Sequence, residues 1–177
     1  MIKPLLLSIS FALPLSVLAQ QKPDSTARNS GYRLAAGILA TYQAVGVQAE
    51  LRFSSRFALK AVGARSLDYV RREEHGGAGI GLLTYYLPSR HPFLEPLVGV
   101  GGVYSWYHWN LLGGSGTLHD LNVGGAFGTN FCFSRRFRAG VNVFLANGFR
   151  AEYREGTMSI VGRRLLAMPT LTLDVLL

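Results

Sequence analysis

The chain has 177 residues and a net charge of +8, with 49% hydrophobic residues, 16% charged residues and a single cysteine. One cysteine excludes an internal disulfide and a cysteine-rich zinc site, and so apolar a composition excludes a disordered chain. The length suits one domain with its own core, and past the N-terminus no run of about 20 apolar residues offers a membrane helix.

Residues 1–19, MIKPLLLSISFALPLSVLA, begin with the positive Lys3 and continue through an apolar stretch from Leu5 to Leu18. Val17 and Ala19 stand at the −3 and −1 positions of a cleavage site. The pattern is that of a secretory signal peptide, left out of fold reasoning; the short run and Pro14 oppose a membrane anchor. Residues 20–30, QQKPDSTARNS, are polar and aperiodic and read as a flexible lead-in. The folded domain is expected over 31–177. In an exported chain the lone Cys132 has to sit where it is not readily oxidised.

From Gly31 onward the pattern has period two, with aromatic and β-branched residues between turn signals. Strands are predicted over 31–41, 44–53, 57–68, 77–87, 93–107, 119–133, 137–148 and 163–176. The second is the cleanest: Val45, Val47, Ala49, Leu51 and Phe53 share one face, and Gly46, Gln48, Glu50 and Arg52 the other. The eighth sets Leu165, Leu171, Leu173 and Val175 against Thr170, Thr172 and Asp174, with Pro169 suggesting a bulge or a gap in pairing.

The connections carry a second signal. FSSRF at 53–57 and FSRRF at 133–137 are near copies, and LPSRHPF at 87–93 lies between them. These tight turns follow strands two, four and six. The connections after strands three, five and seven are longer and polar: VRREEHG, HWNLLGGSGTL and GFRAEYREGTMSIVG. In an up-and-down barrel alternate connections fall at opposite ends, so the short turns share one end and the three long loops the other. Short inner turns, long outer loops and an even strand number are the plan of outer-membrane barrels. The predicted fold is therefore all-β: an eight-stranded antiparallel up-and-down transmembrane β-barrel.

The segment YYLPSRHPFLEPLVGVGGVY (85–104) ends one strand in aromatics, turns through proline and opens the next with small residues. In this the chain resembles the small eight-stranded outer-membrane β-barrel proteins of Gram-negative bacteria, the outer membrane protein β-barrel domain group, over residues 31–177. Such chains usually end in an aromatic, whereas this one ends in Leu177. The resemblance implies a monomer in the cell outer membrane, among lipid and lipopolysaccharide, inserted by the barrel-assembly machinery and meeting an extracellular partner through its outer loops.

A soluble ligand-binding barrel would turn its apolar face inward. Lipid outside is favoured by glycines placed for a narrow interior and by aromatics near strand ends: Tyr42, Phe53, Phe57, Tyr69, Tyr85, Tyr86, Tyr104, Trp106, Phe133 and Phe137. Arg56, Arg90, Arg135 and Arg136 in the short turns could meet lipid phosphates or be solvated as turn arginines. The tight FSSRF turn sets Glu50 opposite Lys60 on the inner face, and FSRRF sets Cys132 opposite Arg138. Arg52, Glu95 and Asp174 are expected to join an inner-face charge network, because charges in a narrow interior must be paired. Tyr85, Leu97 and Phe144 are expected to help fill the lumen.

Other chemistry is weakly signalled. His108 and His119 flank the connection after strand five and, with Asp120, could approach a metal site, though no ligand spacing supports it. Ser115, His119 and Asp120 contain the residue types of a hydrolase triad, but adjacent His and Asp point to opposite faces of a strand. GVGG (99–102) and GGSG (113–116) lack the lysine and helix of a phosphate loop. The basic residues form no stripe or motif for nucleic acid. No cofactor is expected. The reading is a plugged barrel with a structural or surface-interaction role; its rivals are a narrow-solute pore and a lipid-modifying enzyme.

Overall fold

The computed structural model describes residues 32–67, 75–111, 114–154 and 157–177. The leader, the lead-in, Tyr69 and most of the connection after strand three lie outside them. Eight strands follow in chain order: β1 (Leu34–Ala40), β2 (Ala44–Arg52), β3 (Phe57–Ser66), β4 (His75–Tyr86), β5 (Leu94–Leu111), β6 (Gly114–Cys132), β7 (Phe137–Arg154) and β8 (Thr157–Leu176). Each pairs antiparallel with the next, and β8 closes the ring on β1 from Ala35↔Leu176 to Ala40↔Leu171.

The two copied turns fold alike. Phe53 N–H and Ser54 N–H donate to the Phe57 carbonyl at 3.2 and 3.3 Å, and Phe133 and Ser134 repeat this onto Phe137 at the same distances. In each, the serine Oγ accepts from the N–H groups two and three residues on, at 2.9–3.2 Å. A serine that folds back on its own backbone holds a tight turn, which sets the register of the two hairpins.

The exterior is apolar. Ile38, Val47, Leu59, Val100, Leu121, Val123, Leu165 and Leu171 face outward, with Leu121 73% and Leu165 70% exposed. A closed barrel wrapped in such a band is matched to hydrocarbon, not water. At the short-turn end Phe53, Phe57, Tyr85, Phe93, Phe133 and Phe137 form an aromatic girdle, with Phe57 and Tyr85 rings 5.0 Å apart.

Several expectations change. Tyr86, not Tyr85, enters the lumen: Tyr86 is buried, while Tyr85 lies outside against Phe57. The two neighbouring aromatics left the phase of β4 open, and the inward run Ile80, Leu82, Thr84 decides it. The polar stretches 108–118 and 148–162 are mostly strand rather than loop. Outer hairpins β5–β6 and β7–β8 continue to Leu111↔Gly114 and Arg154↔Thr157. Apolar alternation stops where lipid stops, whereas the hydrogen-bonded ladder goes on into water. Pro169 pairs in register with Val143, and the bulge lies instead between Arg150 and Ala151. The β1 ladder on β8 has already ended at Leu171, so the missing donor of Pro169 faces no partner strand. Glycines also divide between faces: Gly128 and Gly140 make room in the lumen for Asn142 and Asn130, while Gly63, Gly79, Gly81 and Gly102 meet nothing.

Candidate functional site

The lumen is layered. At the short-turn end, inward positions of β2, β3, β5, β7 and β8 bring Glu50, Arg52, Lys60, Glu95, Arg138 and Asp174 into one connected set. Arg138 is its centre. Its Nε donates to Asp174 Oδ2 at 2.7 Å and its Nη2 to Glu50 Oε2 at 2.8 Å, while Nη1 donates to Tyr86 Oη at 3.1 Å and also to Tyr32 Oη. Glu95 Oε2 lies 3.6 Å from Arg138 Nη1, and Lys60 Nζ lies 3.4 Å from Glu50 Oε2. Arg52 donates twice to Glu95 Oε1 at 3.2 Å, with its guanidinium 4.3 Å from the Tyr32 ring centre and 4.1 Å from that of Tyr86.

Three cations face three carboxylates, so the set is neutral. Such balance with dense hydrogen bonding is what makes buried ions tolerable. Cys132 sits half-buried in register with Arg138. Tyr32, Tyr86 and Gln48 are further members that the sequence did not assign to the set. Gln48 Nε2 donates to Asp174 Oδ1 at 2.5 Å; its inward phase on β2 was legible, but its partner on β8 was not.

A polar layer follows, with Thr84, Asn130, Asn142, Thr170 and Thr172 buried. Both amide atoms of Asn130, and the Oγ1 atoms of Thr84 and Thr172, are buried and bond to no protein group among the described residues. Above it Leu39, Val62, Ile80, Leu82, Val103, Ala126, Phe144 and Ala146 form a buried apolar cluster, with Ala64 and Met168 against it. Leu97 packs lower, with Ala58 and Tyr86. These layers follow one another along the lumen.

At the outer end β6 and β7 separate, since their ladder starts only at Gly124↔Ala146. The β5–β6 and β7–β8 hairpins stand as two arms. Arg163 clasps Asp120 through two hydrogen bonds of 2.8 and 3.0 Å, Asn122 donates to the Asn147 carbonyl at 2.8 Å, and the rings of Trp109 and Tyr153 lie 5.7 Å apart.

The histidines do not gather with Asp120. Asp120 faces inward to Arg163, whereas His119 lies on the outer face with its Nδ1 2.5 Å from Tyr104 Oη. His108 is in register with Thr117 and His75, and because Asp120 and His119 take opposite faces, Ser115, His119 and Asp120 form no triad. No group of three or more His, Cys, Asp or Glu suited to a metal occurs among the described residues.

No protein-family model matches the sequence, and no curated protein matches it. Solved structures match in shape. The N-terminal β-barrel domain of Pseudomonas aeruginosa OprF is 15% identical with a TM-score of 0.61, the match covering 80% of this chain and 93% of that one. Neisserial surface protein A is 10% identical with a TM-score of 0.60, covering 81% and 94%. Ail, the attachment invasion locus protein of Yersinia pestis, is 7% identical with a TM-score of 0.52, covering 80% and 95%. The likeness is one of fold: eight antiparallel strands closed as in outer-membrane β-barrels.

Proposed function

We propose that this eight-stranded barrel is an integral protein of the outer membrane, that its interior is a plug, and that its role is structural or one of surface interaction through the outer arms. The observation that carries the reading is the contrast between an apolar exterior and a lumen occupied along its height. The neutral charge set and the apolar cluster around Phe144 support the plug, because they occupy successive levels of the lumen, and the paired arms support a surface role.

The test is fractionation together with conductance. The mature protein is expected with the outer membrane, to migrate differently in detergent gels with and without boiling, and to give no sustained current in planar bilayers. Extraction by carbonate would remove the membrane assignment. Stable ion-selective channels would replace the plug with a narrow pore.

A further inference from the structure

His75 opens β4 and His108 lies near the top of β5, directly opposite each other in the ladder. Their ring centres are 4.9 Å apart with planes inclined by 37°. For two imidazoles bound to one ion at about 2.0–2.1 Å, that separation corresponds to an angle of about 100° at the metal, within the range of tetrahedral and octahedral sites. Both side chains are half-buried on the outward face rather than in the lumen.

The second ring is already oriented. His108 Nδ1 lies 3.0 Å from Thr117 Oγ1 on β6, so its Nε2 is left to bind, and a hydrogen bond on the far nitrogen is the usual support of a metal-bound histidine. Trp106 packs on His75 in a T-shaped pair, ring centres 5.6 Å apart and planes 77° apart. His119 stands opposite Trp106 rather than in the His75–His108 pair, and its ring stacks on Tyr104 with centres 5.9 Å apart. The height suits an aqueous ion. From Tyr85 to His75, β4, tilted as barrel strands are, rises about 25 Å, which carries the chain from the Tyr85 girdle to the far edge of an apolar band of about that height.

We propose that His75 and His108 form a two-histidine chelate for a late-transition divalent ion, Cu2+ or Zn2+, on the outside of the barrel at its outer rim, with water in the remaining positions. Imidazole nitrogens select these ions over Mg2+ and Ca2+, and Cu2+ binds such a site most strongly. The site is independent of whether the lumen conducts.

The experiment uses the untagged full mature chain, folded in detergent, titrated with Cu2+ alone and with Zn2+ alone. Electron paramagnetic resonance should show one Cu2+ with two equatorial nitrogens. His75→Ala and His108→Ala should each weaken binding about 100-fold, as expected when a chelate becomes a single contact. Thr117→Val should weaken it about tenfold, while His119→Ala and His91→Ala leave it unchanged. The heat-shifted band reports that each variant is folded. One-nitrogen Cu2+ signals in the parent, affinity unchanged in His75→Ala, or equal losses in His91→Ala would each overturn the site.

Discussion

Arg138 on β7 and Glu50 on β2 belong to strands that share no ladder, yet Nη2 and Oε2 meet across the lumen at 2.8 Å. The pair ties opposite walls of the barrel together. Both side chains are almost wholly buried, so removing one leaves a charge that water cannot easily reach. Arg138→Ala is expected to be the most damaging single change in the lumen, costing about 3–5 kcal/mol. Its effect is read from the urea midpoint of the detergent-folded protein. A midpoint shift no larger than that of the exposed turn variant Arg90→Ala would show that the lumen is well hydrated.

Glu50 and Lys60 test the first hairpin register. Both single alanine variants should lower the midpoint, Glu50→Ala more, because Glu50 also receives Arg138 and Tyr86. The double variant should lose less than the sum of the singles. The charge swap Glu50→Lys with Lys60→Glu is expected to fail, because it sets the new lysine against Arg138. Additive singles, or full recovery by the swap, would contradict this geometry.

The arms should separate when their clasp is cut. Arg163→Gln is expected to speed hydrogen exchange at amides of 147–165 and to leave Val141 and Val143 unchanged. Arg163 is half exposed, so the global cost should stay within about 1 kcal/mol. Equal acceleration throughout β7 would show that the arm and the barrel wall open as one unit.

Topology can be read by labelling. In a Cys132→Ser background, Ser115→Cys should react with a membrane-impermeant maleimide on intact cells, and Ser55→Cys should react only after the outer membrane is opened. The opposite order would turn the barrel over.

Period-two alternation, two copied turns and the alternation of short and long connections are local properties of the chain, and they determined eight strands, their order and an apolar outside. The FSSRF turn also fixed Glu50 against Lys60, because a tight turn leaves one register. The sequence could not tell Tyr85 from Tyr86, since neighbouring aromatics satisfy either phase until flanking strands are in place. It did not mark the outer arms, because hydrophobicity records where lipid ends and not where hydrogen bonding ends. Closure of the ring decided the rest. Arg138 reaches Glu50, Asp174 reaches Gln48 and Arg163 reaches Asp120 only once strands far apart in the chain curve round a common lumen, and no spacing along one strand encodes a distance across it.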